Sequence, residues 1–308
     1  MNTPASTISI TLWSANLEPP ATSLAAWLDL VGARLAETRA AGSQLLVLPE
    51  LNCIQWLGFA PPGLAANRQL PWLADMAQEA MPGMRALAAE YGIALLAGTL
   101  PWALEGGGLV NRAWLILPDG RAFAQDKLFL TPGENNPQGW QFTPGTQVNV
   151  IDWLGLRVAI MICLDTEATA LWARLASLDL DLILVPAKTD ALSGYYRVFG
   201  CARSRAIELQ TVVCAVGAVG TVYGQSATDT VVGGAAAYLP CDAALNALGI
   251  GAVLEPQPPA VQTSPVLHAL QLPVGYCRKI RHGAAEAEIW PASWSAQHIS
   301  ITDPAVPS

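Results

Sequence analysis

Val158-Ala159-Ile160-Met161-Ile162-Cys163-Leu164-Asp165 decides how this chain is read. Five apolar residues, several of them β-branched, form a short run of the kind that builds a buried strand. From Glu167 to Leu178 the apolar residues Ala168, Leu171, Trp172, Leu175 and Leu178 recur at helical spacing. Cys163 therefore falls on a strand-to-helix turn. A thiol there stands at a sheet edge beside a helix N-terminus, where backbone N–H groups and the helix dipole favour a thiolate. The competing reading is a packed structural cysteine, because free Cys is among the most buried residue types.

Two other stretches repeat the pattern of an apolar run closed by a chemically useful side chain. Gln44-Leu45-Leu46-Val47-Leu48-Pro49-Glu50 ends on a carboxylate at the carboxyl edge of a strand, where α/β folds collect their chemistry; an N-cap or surface acid is the plainer alternative. Gln125-Asp126-Lys127-Leu128-Phe129-Leu130-Thr131-Pro132-Gly133-Glu134 carries one of only three lysines among 16 basic residues, the others being Lys188 and Lys279. Lys127 is thus a compact ammonium among apolar neighbours in a chain that otherwise uses Arg. A snorkelling surface lysine would also fit.

Together these segments resemble the carbon–nitrogen hydrolase (nitrilase) superfamily, over most of the chain from the first strand to about Tyr238. The family's catalytic Glu–Lys–Cys residues match Glu50 in Leu-Pro-Glu, Lys127 in Asp-Lys-Leu and Cys163 in Ile-Cys-Leu-Asp. A second glutamate of many members matches Glu134. Ala202-Arg203-Ser204-Arg205-Ala206-Ile207-Glu208-Leu209-Gln210 resembles a further family stretch, with Leu209 where Asn is usual. The resemblance implies a four-layer αββα sandwich of two mixed β-sheets flanked by helices. It also implies a metal-free and cofactor-free mechanism, a small amide or nitrile as substrate, and a homodimer or higher oligomer. True nitrilases usually carry Trp-Glu after the cysteine. Leu164-Asp165 stands here instead, nearer the amidase type, and points to a linear carboxamide or carbamoyl compound.

The residue types suit that chemistry. A thiol nucleophile needs a base or a lowered pKa, and Glu50 can take its proton, pass it to the leaving amine and then activate water. Lys127, helped by backbone N–H groups after Cys163, can stabilise the oxyanion of each tetrahedral intermediate. Glu134 can hold Lys127, or can be a loop acid beside Pro132-Gly133. A Cys–His mechanism would need His268, His282 or His298 to fold back from the last stretch of the chain, which nothing in the sequence motivates. Two further readings stay open. One is acyl transfer from the same thioester to an amine; the other is a non-catalytic binding or scaffold protein.

Substrate contacts are expected after the Leu182–Pro186 strand, in Ala187-Lys188-Thr189-Asp190-Ala191-Leu192-Ser193-Gly194-Tyr195-Tyr196-Arg197. Lys188 and Arg197 could meet a substrate carboxylate, and Tyr195 could pack against it. The alternative is a helix start capped by Thr189 or Asp190. Trp56 and Phe59 could line an apolar wall or lie in the core, and Cys53, three residues past Glu50, reads as a packed thiol.

Composition narrows the class. The 308 residues are 52% hydrophobic and only 13% charged, well under the usual quarter. Such a chain buries a large core, and subunit contacts are the simplest outlet for the remaining apolar surface. A net charge of −8 with no basic cluster argues against nucleic acid. No apolar run reaches transmembrane length, and no signal-peptide layout precedes Arg34, so a cytoplasmic protein is expected. Six scattered cysteines without a C-x-x-C pair read as reduced thiols.

Strands are predicted at Ile8–Leu12, Ile93–Gly98, Ala113–Leu117 and Thr211–Val216. Helices are predicted from Leu24 to Gly42, from Leu70 to Tyr91 with a break at Pro82-Gly83, and through Arg205. The whole is expected to form one domain over residues 1–308, with a Gly/Pro-rich extended tail from about residue 249. By family resemblance such a tail crosses to a partner subunit.

Overall fold

A computed structural model describes residues 5–18, 20–137, 139–222, 230–258 and 263–284. The first sheet is assembled from β1 (Ile8–Trp13), β2 (Leu45–Val47), β3 (Ala94–Ala103), β4 (Leu109–Ile116) and β5 (Ala122–Asp126). The second takes β6 (Ile151–Trp153), β7 (Leu156–Ile160), β8 (Leu182–Ala187) and β9 (Val212–Gly217). A short pair, β10 (Gly220–Thr221) and β11 (Thr230–Val231), precedes β12 (Gly233–Tyr238), β13 (Ile250–Gln257) and β14 (Val266–Leu272). Both large sheets are six-stranded and mixed, in the orders β14-β1-β2-β3-β4-β5 and β13-β12-β9-β8-β7-β6.

The period of two along the strands sorts side chains into layers. Ile10, Leu12, Leu45, Val47, Leu96 and Leu115 face the second sheet and pack with Val158, Ile160, Ile183 and Val213. Their alternates Trp13, Leu46, Leu48, Leu95 and Ile116 face α1 (Leu24–Ala40) and α2 (Ala66–Tyr91). On the far side, α4 (Leu192–Glu208), preceded by the short α3 (Thr169–Leu175), covers the second sheet through Tyr195, Val198, Phe199, Ala202 and Ala206. The arrangement is the expected αββα sandwich.

Local chemistry explains most boundaries. Ser23 caps α1 by accepting a hydrogen bond from the Ala26 N–H (3.1 Å), and Gly42 (φ +76°) turns the chain after it. The predicted break at Pro82-Gly83 is corrected: α2 runs unbroken through Pro71 and Pro82. A proline inside a helix costs about 3 kcal/mol. Burial of Leu73, Ala77, Met84 and Ala88 along one face outweighs that cost. Gly83 is a crossing point rather than a break, since a Cβ there would lie 2.7 Å from Leu28 Cδ1 on α1.

The expected tail from about residue 249 is also corrected in its described part. β13 pairs antiparallel with β12, and β14 with β1, so this stretch completes both sheets of its own chain. Its Gly and Pro residues drew the extended reading, but Ile250–Gln257 alternates half-buried and exposed residues as an edge strand does. The helix α5 (Val274–Lys279) and the turn after it are clamped by Arg278 and Arg281, both on Asp181 at the start of β8 (2.5 and 2.8 Å). Burial alone would push the Asp181 carboxyl up; hydrogen bonds from Arg278 and the Arg157 N–H, with the charge of Arg281, hold it below the ordinary range.

Candidate active site

Glu50 and Cys163 emerge from parallel strands of opposite sheets, each at a left-handed turn. After β2, Leu51 adopts φ 50° and the chain enters a 3-10 helix over Asn52–Phe59. The Leu51 N–H donates to Thr99 Oγ1 (2.9 Å), and Asn52 Nδ2 donates to the carbonyls of Pro49 and Ala97 (3.0 and 2.9 Å). β3 comes so close here that only glycine fits: a Cβ on Gly98 (φ +66°) would sit 2.0 Å from the Pro49 oxygen. After β7, Cys163 itself adopts φ 49° and opens a 3-10 turn over Cys163–Glu167. The expected long helix from Glu167 is shorter and broken, α3 being followed by a 3-10 turn at Ala176–Leu178.

Lys127 follows β5. Its side chain is 2% exposed, and its Nζ donates to Glu50 Oε1 (2.8 Å) and to both oxygens of Glu134 (2.9 and 2.7 Å). Glu134 is fixed in turn by the Thr131 N–H (2.9 Å). The second Glu50 oxygen accepts the Lys188 N–H (2.9 Å), while the Cys163 thiol lies 3.6 Å from the Lys188 carbonyl. One residue's main chain thus touches both acid and thiol. Glu50, Lys127, Glu134 and Cys163, chosen from separate stretches of sequence, meet in one buried cluster.

Electrostatics set the resting state. Burial raises the Glu50 carboxyl above the ordinary glutamate value; Lys127 pulls it down and Glu134 pushes it up again. Burial would also lower the Lys127 ammonium, but Glu50, Cys163 and Glu134 outweigh it and the ammonium is held charged. Burial pushes the Cys163 thiol up, and the Glu50 charge adds to that despite Lys127. Burial and the Glu50 charge thus oppose the thiolate that a helix N-terminus favours, and the turn that Cys163 opens is a short 3-10 helix.

Sequence reasoning missed two members of the cluster. Asn111, in the middle of β4, donates to Glu50 Oε1 (2.9 Å) and Glu134 Oε1 (3.0 Å). Its signal was a lone uncharged polar residue inside the strand Leu109–Ile116. Asp165, fully buried, was read only as part of the motif after the cysteine. Its Oδ1 accepts the N–H groups of Leu128 and Phe129 (3.1 and 2.9 Å), and its Oδ2 accepts that of Ile162 (3.0 Å). It ties the lysine loop to the cysteine turn. Burial pushes its carboxyl up to about 7 against those hydrogen bonds and the pull of Lys127.

A cavity of about 390 Å³ opens over the cluster, lined in part by Glu50, Lys127, Glu134, Trp140, Lys188 and Asp190. Of the expected substrate contacts, Lys188 lies there, its Nζ paired with Asp190 (2.6 Å). The other three do not line it. Thr189 is buried and donates to the Val232 carbonyl (2.6 Å); Tyr195 is buried and stacks on Phe199 (4.1 Å); Arg197 is exposed and pairs with Glu167 (3.3 Å). On α4 the buried face holds Tyr195, Val198 and Phe199, which turns Arg197 outward. The alternative capping role also fails, since α4 starts after Ala191 with no side-chain cap. Trp56 is core, against Trp27, Phe59 is half-buried against Trp72, and Cys53 is a packed thiol. His268 bonds to Thr11 and His282 lies near Asp179; His298 is outside the described residues.

Fold and cluster define the class, an αββα sandwich with a buried cluster of two glutamates, a lysine and a cysteine. The carbon-nitrogen hydrolase family matches residues 13–235, most of the chain, and the protein belongs to that family. It is 31% identical over 185 residues to the probable hydrolase YhcX of Bacillus subtilis, across 59% of this chain and 35% of YhcX. The matched stretch thus spans about a third of that relative's length. It is 27% identical over 148 residues to an (R)-stereoselective amidase of Pseudomonas sp., across 48% and 49% of the two chains. The solved amidase of Nesterenkonia sp. superposes with a TM-score of 0.64 at 22% identity, over 92% of this chain and 96% of that one. No helix among the described residues is long and apolar enough to cross a membrane.

Proposed function

We propose that this carbon–nitrogen hydrolase cleaves a small linear carboxamide or carbamoyl compound through a thioester on Cys163. The observation that carries the reading is Glu50, which bonds to Lys127 Nζ through one oxygen and through the other to the Lys188 main chain that the Cys163 thiol also meets. Glu50 takes the thiol proton as Sγ attacks the carbonyl carbon. The tetrahedral oxyanion forms beside the Lys127 ammonium, which Glu134 holds in place. The C–N bond then breaks, and the nitrogen leaves with the proton Glu50 returns to it. Water attacks the thioester, Glu50 takes its proton, and the acid departs as the sulfur recovers a proton. General base catalysis contributes about 10²–10⁴-fold, and each oxyanion donor about 10²–10³-fold.

Amides are favoured over nitriles by Leu164-Asp165 after the cysteine and by the two amidases among the similar proteins. Lys188 is the expected contact for the acyl end, from its place in the cavity. The test is ammonia release from a panel of small amides, carbamoyl compounds and nitriles, with wild type and Cys163→Ala side by side. Release by wild type alone is expected, on amides before nitriles. Equal release by both proteins would end the nucleophile assignment.

A homodimer or larger assembly belongs to the same proposal, supported by exposed Leu192, Tyr196 and Ile207 on α4. Light scattering that gave a monomer at micromolar concentration would refute it.

A further inference from the structure

Of the groups that bond to the Glu50 carboxylate, Asn111 is the one side chain that carries neither charge nor a reactive proton. It reaches the same two carboxylate oxygens as the lysine. Asn111 Nδ2 donates to Oε1 of Glu50 (2.9 Å) and Oε1 of Glu134 (3.0 Å), and Lys127 Nζ donates to those same atoms (2.8 and 2.9 Å). Two buried carboxylates are therefore bridged twice, once by an ammonium and once by an amide.

The choice of an amide has a physical logic. A second cation would neutralise the pair and weaken Glu50 as a proton acceptor. An apolar residue would leave two buried like charges with one shared donor. A carboxyl would add a third acid. A primary amide supplies two N–H groups, matching the two oxygens it meets, and adds no charge. The orientation follows, because an amide oxygen turned toward two carboxylates would be repelled. Asn111 Oδ1 is left buried without a partner among the described residues, a cost that a residue present for packing alone would not carry. The main chain of Asn111 also accepts the Lys127 N–H (2.9 Å), so one residue fixes the start of the lysine loop and both acids.

We propose that Asn111 is a positioning residue for the base, a neutral bridge that aims Glu50 at the thiol and lets one ammonium serve two carboxylates. The inference rests on the reading of Glu50 as the base. The titratable groups that face Glu50 are Lys127 and Glu134 from the loop after β5 and Cys163 from the turn after β7, with the Lys188 N–H from the end of β8. Asp165 acts on this set through Lys127.

The test is the pH profile of kcat/KM for amide hydrolysis in wild type, Asn111→Ala, Asn111→Ser and Asn111→Asp. A hydrogen bond to a carboxylate favours its ionised form, so losing it moves the acidic limb to higher pH. A shift of roughly one pH unit is expected for Asn111→Ala, a smaller one for Asn111→Ser, which keeps one donor, and a larger one for Asn111→Asp. KM should change less than kcat. Iodoacetamide alkylation of Cys163, corrected with Cys163→Ala, should shift along the pH axis in the same order. Folding of each variant is checked by thermal melting; if Asn111→Ala does not fold, the serine and aspartate variants carry the same comparison. Limbs and alkylation curves that stay at the wild-type pH would overturn the proposal. Glu50→Gln separates the two readings. If it hydrolyses amides normally, the proposed base is wrong; if it is inactive while the asparagine variants keep wild-type limbs, only the bridge is wrong.

Discussion

The turn that presents the acid and the turn that presents the thiol are built alike up to one position. Each follows a parallel strand, passes through a left-handed non-glycine residue at φ 50° or 49°, and enters a 3-10 turn. At Glu50 the strained residue is the neighbour, Leu51, and the catalytic candidate is held mainly by side chains, Lys127 and Asn111. At Cys163 the strained residue is the candidate itself. Its two bonds tie it to the neighbouring turns: Sγ meets the Lys188 carbonyl, and the Cys163 carbonyl accepts the Thr166 hydroxyl at 2.8 Å. Backbone strain of this kind costs about 1–3 kcal/mol and persists only where surroundings over-determine it. The first sheet thus sets charge, and the second sets position.

That division can be broken one side at a time. Lys127→Arg should cost the most, on the order of 10²–10³ in kcat, because a flat guanidinium cannot stand where a compact ammonium reaches two carboxylates and an oxyanion. Near-normal kcat would remove Lys127 from the oxyanion role. Asp165→Asn attacks the tie between the two turns. Its amide group would face an N–H where a carboxylate oxygen now accepts one, so kcat/KM should fall about tenfold and stability by about 1–3 kcal/mol. Alkylation of Cys163 should slow in the same variant; an unchanged rate would mean the turns are held independently.

Gly98→Ala strains the acid turn alone, through the contact with the Pro49 oxygen. A loss of about 1–3 kcal/mol in thermal stability is expected, with kcat lowered and the reactivity of Cys163 toward iodoacetamide unchanged. Equal losses in both assays would show that the sheets are not separable. Lys188→Met should matter least. Both of its bonds to the cluster are main-chain, and its exposed partner Asp190 contributes only about 0–1 kcal/mol. A change in kcat within about fivefold on neutral amides is expected from that range. A selective loss on amides that carry a carboxylate would instead identify Lys188 as the reader of that group.

The same comparison explains what the sequence made visible. Glu50 and Cys163 each close an apolar strand run, and Lys127 stands out by rarity, so their placement at one end of the sandwich was legible. Asn111 and Asp165 were not, because a buried polar residue is defined by partners distant in the chain: Glu50 lies 61 positions from Asn111, and Leu128 lies 37 from Asp165. Tyr195 and Arg197 read as substrate contacts in the stretch after Pro186, whereas they sit inside α4, whose helical period sends one into the core and the other to solvent. The prolines of α2 and the glycines near residue 249 were local signals overruled by tertiary burial and strand pairing.

The pairing of β1 with β14 has a consequence for biosynthesis. The family match ends at residue 235, yet β1 gains its antiparallel neighbour only from residues 266–272, and β12, already paired with β9, gains its outer neighbour only from 250–257. A growing chain carries Glu50, Lys127, Glu134 and Cys163 and two unsatisfied sheet edges until residues 250–272 leave the ribosome. For that interval the nascent protein is at its most exposed to edge-to-edge aggregation, and ribosome-stalled chains ending before residue 250 should be the ones that chaperones capture.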